Sequence, residues 1–264
     1  MPSTERAPGQ ARVPLAAARL WGARLLIIAV VVGAWQWSSE SHLVNPLFVG
    51  RPTDIAMSFW NGLFVQGTFL ADMGVTMLET GISFVLGIAA GIAVGLAFGV
   101  SPYLERLTGP LLGALNSVPR IALAPLFILW FGIGIPSKIA LAVSLVFFIV
   151  LESTVAGIRS VDRDWLVLAR TLDASALQVF FRITLPSALP TLFSSLRISA
   201  VYSLLGVITA EIIAAQHGLG QLLTSYANSF QTNGVFAVLL LLGLIGGVLA
   251  WLMTILERRL TRWS

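Results

Sequence analysis

Residues Arg159 to Pro190 read RSVDRDWLVLARTLDASALQVFFRITLPSALP and lie between two apolar stretches, each long enough to cross a membrane. Apolar residues in this segment recur at the i, i+3, i+4, i+7 spacing of one helical face: Trp165, Leu168, Ala169, Leu172, Ala176, Val179, Phe180 and Ile183. The opposite face is polar, and Leu185-Pro186 is predicted to end the helix. A simple turn needs far fewer residues. The segment is therefore predicted to form an amphipathic helix that either rests on lipid headgroups or docks a protein.

The composition of the chain is that of a membrane protein. Of its 264 residues, 57% are hydrophobic and 11% are charged, whereas soluble domains carry about 25% charged residues. We therefore predict an all-α integral membrane protein. The absence of cysteine excludes disulfides and cysteine-ligated metal, and with only His42 and His217 available we expect no metal site.

Six apolar stretches reach the roughly 20 residues that a transmembrane helix needs. They are about Ala18–Trp37, Thr80–Val100, Leu111–Phe131, Ile139–Ile158, Leu189–Ile212 and Val235–Leu256. With a cytoplasmic N-terminus, the cytoplasmic side holds twelve of the sixteen basic residues: Arg6, Arg12, Arg19, Arg24, Arg106, Arg159, Arg163, Arg170, Arg182, Arg258, Arg259 and Arg262. Arg51 and Lys138 fall outside. This bias predicts N-in/C-in topology in a multi-pass protein of the cell (inner) membrane, and it explains the positive charge without a nucleic-acid partner.

The chain is predicted to form one transmembrane domain, residues 18–264, after a mobile cytoplasmic tail of residues 1–17. The first apolar stretch ends in Trp-Gln-Trp-Ser-Ser rather than a small-residue cleavage site, so we interpret it as a retained anchor. Ser38–Asp72 is expected to form short helices along the outer surface or a plain connector. The loop of residues 159–188 is the largest predicted cytoplasmic feature.

Glycines at positions 87, 91, 95 and 99 form a small-xxx-small stripe along the second span. Without side chains there, another helix backbone can approach closely. The partner helix belongs either to the same subunit or to a second copy of the chain.

Several ionisable residues fall within or at the edges of the predicted spans, where each costs roughly 2.5–3.5 kcal/mol at a helix centre. They are Glu79, Arg120, Glu152, Arg197 and Glu211. Pro119-Arg120 also interrupts the third span, which should bend or unwind there against protein or a watery cavity. The candidate translocation-pathway residues are Pro119, Arg120, Glu152, Arg197 and Glu211. The alternative is Arg–Glu pairing that stabilises helix packing.

The quoted loop resembles the ATPase-docking loop of ABC importer permeases, in which a Glu-Ala-Ala…Gly…Ile-x-Leu-Pro signature recurs. Ala169 matches the last alanine, and Ile183, Leu185 and Pro186 complete the motif in register. Val167 and Leu168 replace Glu-Ala. Asp173 replaces the glycine, and aspartate is among the few residues that tolerate a left-handed turn.

Other segments resemble the nitrate, sulfonate and taurine branch of these permeases, from about Pro46 to the C-terminus. They are ALAPLFILWFGIG after the break, GIRSV at the end of the fourth span, Ala210-Glu211 with His217-Gly218-Leu219-Gly220, and the terminal ERRLTRW. The resemblance implies a permease subunit that imports a small polar, anionic solute such as nitrate, bicarbonate, a sulfonate, taurine or an aromatic carboxylate.

The resemblance also implies partners: two ATP-binding subunits that carry ATP and Mg, an extracytoplasmic binding protein, membrane lipid and a second permease copy as a homodimer. The chain itself is expected to bind no cofactor. The implied ATPase-coupling residues are Arg163, Asp164, Trp165, Leu168, Ala169, Arg170, Thr171, Leu172, Asp173, Ala174 and Ser175.

Two other functional classes compete with a permease subunit. An ion-coupled secondary transporter is expected to show matching broken helices in two halves, and the sequence has one clear break. A membrane hydrolase would need a motif such as G-x-S-x-G, which is absent. Nor is the chain expected to be an ATPase, because Lys138, the single lysine, follows no glycine-rich loop.

Overall fold

All regular structure within residues 13–260 is helical, which confirms the predicted fold class. The structure is a computed structural model that describes these residues, and the side chains of residues 19–259 apart from Arg163 and Arg170. The α-helices are α1 Val13–Glu40, α2 Pro46–Val49, α3 Pro52–Trp60, α4 Thr68–Val100, α5 Pro102–Asn116, α6 Ala124–Phe131, α7 Ile135–Arg159, α8 Arg163–Thr171, α9 Ala176–Val179, α10 Leu185–Ala214, α11 Leu219–Asn228 and α12 Thr232–Leu260. Arg6, Arg12, Arg262 and most of the predicted tail lie outside the described residues.

Within residues 13–260, five helical segments are long and apolar enough to cross a membrane. They are Arg19–Glu40, Thr68–Val100, Ile135–Arg159, Ala176–Ala214 and Thr232–Arg259. The sixth predicted span is a broken pair, Pro102–Asn116 and Arg120–Phe131, whose axes meet at 87°. The predicted bend at Pro119-Arg120 is therefore confirmed, and a short 3-10 turn, Arg120–Leu123, occupies it.

The glycine stripe of α4 packs against α7 of the same chain. A Cβ added at Gly87 would lie 2.6 Å from the Val146 side chain, and one at Gly95 would lie 2.5 Å from Thr154. The two helices run parallel, since later glycines meet later residues of α7. The sequence allowed either a helix of the same subunit or one of a second copy as the partner. The contacts of the described residues lie within one subunit.

Helix α10 runs antiparallel to α7 and completes the core with it and α4. Gly157 of α7 meets Ala188 at one end of this contact, and Gly206 of α10 meets Ala142 at the other. Short helices α2 and α3 pack against the start of α12, and a π-helical turn, Asn61–Val65, packs against the start of α4. The short helices predicted for the connector after the first span are therefore present.

Helix α1 lies at the edge of the molecule, and none of its apolar window is buried within the chain. Its contacts come from its last turns, where the Trp35 ring meets Phe236 edge to face at 5.4 Å and Ser39 donates to the Gly50 carbonyl at 2.8 Å. The remaining apolar surface of α1 is therefore available to lipid or to another protein.

The quoted loop folds differently from the single amphipathic helix that its pattern predicted. Helix α8 ends at Thr171, and a second helix begins at Ala176 and continues through a π-helical turn, Phe180–Thr184, into α10. The predicted helix end at Leu185-Pro186 is wrong. The Leu185 N–H bonds to the Phe180 carbonyl five residues earlier, and this wider turn accommodates the proline that an α-helix would exclude.

Candidate functional site

Asp173 reverses the chain after α8 in the left-handed conformation, with φ at 52°. The next amide, Ala174 N–H, bonds back to the Ala169 carbonyl at 3.0 Å. The bond joins residues five positions apart. Bonds of this kind close the C-terminal end of a helix, and the residue that turns the chain there is usually glycine. Asp173 thus adopts the left-handed turn that aspartate was expected to tolerate at this position.

Side-chain caps lie at the starts of both α9 and α8. The Ser175 hydroxyl accepts from Gln178 N–H at 3.3 Å, and the Gln178 side chain accepts from Ser175 N–H at 2.8 Å, which is a capping box. At the start of α8, Asp162 accepts from Asp164 N–H at 3.0 Å. Asp162 was missed as a contributor, although an aspartate just before a helix is a usual capping signal. The α8–α9 hairpin is thus held in a defined shape.

An apolar groove of about 450 Å³ runs between α8 and the start of the next helix. Its lining comes from Trp165, Leu168, Ala169, Leu172, Ala174, Gln178, Val179, Arg182 and Ile183. Leu172 is 73% exposed and Trp165 59% exposed, whereas Ala169 forms the buried floor. Uncovered apolar side chains concentrated in one groove are typical of a protein-binding surface.

The structure brings most of the predicted coupling residues to this hairpin. Asp164 and Thr171 lie on α8 outside the groove lining, where the Thr171 hydroxyl donates to the Leu168 carbonyl at 2.7 Å. Asp173 and Ser175 form the turn. Arg163 and Arg170 belong to α8, but their side chains lie outside the described part of the structure.

Arg120 ties the broken pair to α7. Its Nη1 donates to the Ser144 carbonyl at 2.8 Å, its Nη2 to the Asn116 carbonyl at 3.1 Å and to the Asn116 side-chain oxygen, and its Nε to the Val118 carbonyl at 3.3 Å. The guanidinium also lies 4.0 Å from the Phe148 ring centroid. Arg120 therefore holds the break that Pro119 begins.

A cavity of about 270 Å³ borders this break. Its lining residues are Asn116, Arg120, Leu145, Phe148, Ile149, Glu152 and Tyr202. Asn116 donates to Glu152 Oε1, and a second cavity of about 280 Å³ adjoins the same pair. Asn116 was missed by the sequence analysis, because a neutral amide at a helix end carries no distinguishing signal.

Glu211 occupies a different, closely packed place. Its carboxylate accepts from the Thr76 hydroxyl at 2.8 Å and from Gly220 N–H at 2.7 Å, and it is 1% exposed. Gly218 adopts φ of 116°, and a Cβ there would lie 2.0 Å from Glu211 Oε1. The Ala210-Glu211 pair and the His-Gly-Leu-Gly motif therefore form one structural unit that anchors the start of α11.

The remaining ionisable residues form ion pairs away from the cavities. Glu79 pairs with Lys138 at 2.5 Å, and both side chains are buried. Lys138, expected just outside the fourth span, lies in the first turn of α7 and is buried against Glu79 of α4. Arg197 lies 3.9 Å from Glu257 of α12. Of the five pathway candidates, Pro119, Arg120 and Glu152 lie together, whereas Arg197 and Glu211 lie apart.

The family described as binding-protein-dependent transport system inner membrane component matches residues 84–262. The chain belongs to this family. One relative is SsuC of Bacillus subtilis (strain 168), which is named a putative aliphatic sulfonates transport permease. It is 32% identical over 243 residues, which cover 92% of this chain and 88% of that protein. The taurine permease TauC of Escherichia coli (strain K12) is 31% identical over 240 residues, covering 89% and 87%.

Solved structures show the same fold. The inward-facing MetNI methionine ABC transporter aligns with a TM-score of 0.65 at 20% identity, covering 74% of this permease and 97% of that chain. A bacterial alginate ABC transporter aligns with a TM-score of 0.56 over 95% of this permease and 97% of that chain, at 16% identity. The chain is the transmembrane permease subunit of an ABC importer, a multi-pass inner-membrane protein, as predicted from the loop and its flanking motifs.

Proposed function

We propose that this permease imports a small polar solute with an acidic group, of the sulfonate class named for SsuC and TauC. An ABC importer works with an ATPase and a substrate-binding protein. The proposed assembly contains two permease copies, two ATPase copies and one extracytoplasmic binding protein. ATP and Mg belong to the ATPases, and the permease takes no part in hydrolysis.

The groove of the α8–α9 hairpin is the observation that best supports coupling to the ATPase. Three residues, 160–162, connect α7 to α8, and the capped turn leads directly into the helix that becomes α10. A displacement of the hairpin is therefore transmitted to two of the three core helices. ATP binding favours one arrangement of these helices and hydrolysis restores the other, because ATP binds the two states with different affinity.

We propose that the solute moves past the cavities beside the helix break. Pro119, Arg120 and Glu152 border this route. Arg197 and Glu211 are retained as pathway candidates from the sequence, and in this structure each also contributes to packing through its own partner. The route places the solute between α5, α7 and α10, and the hairpin is connected to the last two of these helices.

The coupling proposal is tested by Ala169→Glu. Ala169 forms the groove floor and is 6% exposed, so a carboxylate there blocks the groove to an apolar partner. We expect the variant to lose the stimulation of ATP hydrolysis by loaded binding protein, measured in proteoliposomes that contain the permease and its ATPase. A bulky acidic residue at position 170 is expected to have the same effect.

Val167→Glu is the matched control, because Val167 is 59% exposed and lies outside the groove lining. It adds the same charge to the same helix and should retain most of the stimulation. Full stimulation in Ala169→Glu would contradict docking through the groove.

A further inference from the structure

Arg120, the cation of the cavity beside the break, has little hydrogen-bonding capacity left for a solute. Four hydrogen bonds to Val118, Ser144 and Asn116 occupy three nitrogens of Arg120, and Phe148 covers one face of the guanidinium. Arg120 therefore offers an incoming anion little beyond its charge. Binding a sulfonate in the usual two-bonded manner would break contacts that hold the fold.

Glu152 has the opposite character. Within the part of the chain that the structure describes, its one hydrogen bond comes from the Asn116 amide, which donates to Oε1. The side chain is exposed to the cavity, so the second oxygen is free to accept. The charges of Arg120 and Glu152 offset each other, so the cavity has little net charge with which to select a solute. Selection then depends on the free lone pairs of the second Glu152 oxygen.

The other cavity walls fit the same ligand chemistry. Tyr202 is 44% exposed and presents an aromatic ring and a hydroxyl, and the Phe148 ring already has a cation over one face. A cationic nitrogen is attracted to carboxylate oxygens and to aromatic faces. An anion without such a nitrogen gains neither interaction.

Glu152 also lies where passage can be controlled. Asn116, Phe148 and Glu152 line both neighbouring cavities. The second cavity contains one further ion pair, Glu105 with Arg159, whose charges offset each other. A solute in either cavity therefore meets the same free carboxylate.

We propose that Glu152 is a solute-selecting residue that favours an acidic solute carrying a cationic N–H donor, such as an aminosulfonate, over the matched anion without the amine. This inference rests on the proposed route beside the helix break. It narrows the expected anionic solute to a zwitterion.

The test uses the full-length permease in lipid nanodiscs and saturation-transfer difference NMR, which detects weak ligands. The probes are 2-aminoethanesulfonate and 2-hydroxyethanesulfonate, which differ only in carrying a cationic ammonium or a neutral hydroxyl on the second carbon. We expect the aminosulfonate to bind about tenfold more tightly, as expected for a hydrogen bond to a charged group. Glu152→Gln should abolish this preference, whereas Glu152→Asp should retain it.

Glu257→Gln is the matched control, because it removes a carboxylate that lies outside both cavities; it should retain the preference. Equal binding of the two probes to the unmodified permease would overturn the proposal, and so would an unchanged preference in Glu152→Gln. The comparison of the two probes needs only the unmodified permease, so the proposal can be overturned even if a variant folds poorly. Failure of coupling is distinguishable, because Ala169→Glu acts at the hairpin and should leave probe binding intact.

Discussion

A single left-handed residue determines the shape of the α8–α9 hairpin. Asp173 has a Cβ that clashes in this conformation, a strain of roughly 1–2 kcal/mol that glycine avoids. The backbone hydrogen bond from Ala174 to Ala169 depends on this conformation. The shape of the groove therefore depends on a position that carries no groove-lining side chain.

Asp173→Gly is expected to stabilise the permease by up to about 1 kcal/mol, because glycine adopts positive φ without strain. Asp164→Gly, the same exchange in the first turn of α8, should destabilise it by about 0.5–1 kcal/mol, because glycine is the poorer helix former and the favourable acidic charge at the helix N-terminus is lost. Thermal unfolding of the two purified variants checks this reversal of sign. Equal shifts in the same direction would show that Asp173 is not strained.

Gly218→Ala tests the packed carboxylate of Glu211. Its added Cβ would lie 2.0 Å from Glu211 Oε1 at a φ of 116°, so both steric overlap and backbone strain act against it. Gly67→Ala meets positive φ with nothing within 4 Å and isolates the backbone term, which we expect to be about 1 kcal/mol. Gly218→Ala should lower the melting temperature by clearly more than Gly67→Ala, and the reverse order would contradict this packing.

At the scale of whole helices, the α4–α7 contact depends on the absence of side chains along one face. Four glycines, at positions 87, 91, 95 and 99, meet Val146, Val150, Thr154 and Ile158 in turn. In lipid, burying apolar surface between helices gains little free energy, because the lipid tails are equally apolar. Close backbone approach is therefore a main source of helix association. This contact orients α7, which carries Glu152.

Gly95→Ala should destabilise the permease by about 1–3 kcal/mol, the usual range for an overpacked core. The new Cβ would lie 2.5 Å from Thr154, and the stiff, branched side chain of threonine has little room to move. Gly81→Ala on the same helix meets nothing within 4 Å and should be neutral or slightly stabilising. Chemical denaturation in detergent compares the two, and equal stability would argue against close α4–α7 packing.

Hydropathy and proline predicted the elements well, because the cost of unpaired backbone in lipid leaves helices as the main solution. The bend at Pro119-Arg120 could be predicted because Pro119 has no backbone N–H to donate within a helix. What the sequence could not provide was pairing across helices. The burial of Lys138 against Glu79, and the contact of Asn116 with Glu152, join residues 59 and 36 positions apart.

The helix that passes through Leu185-Pro186 was missed for a different reason. Periodicity cannot detect a single π-helical turn, and this turn provides the space that the proline ring needs. The same limit applies to the break after α8, where one residue with positive φ divides a pattern that reads as continuous.

At the scale of the whole molecule, the proposed assembly takes its energy from ATP bound to the ATPase subunits. With the ATPase and binding protein in proteoliposomes, we expect uptake to stop when a non-hydrolysable ATP analogue replaces ATP. A protonophore should leave uptake unchanged. Uptake that fails with the protonophore and persists without ATP would instead indicate an ion-coupled carrier.

The segment Ala176–Ala214 is one helical run of 39 residues. At 1.5 Å per residue its length is about 58 Å, nearly twice the thickness of the roughly 30 Å hydrocarbon layer. Close to half of an upright rod, and about a third of one tilted by roughly 40°, therefore projects past the acyl chains. Lipids with longer or shorter tails are accordingly expected to alter its inclination, while the groove keeps its distance from the bilayer surface and stays in water.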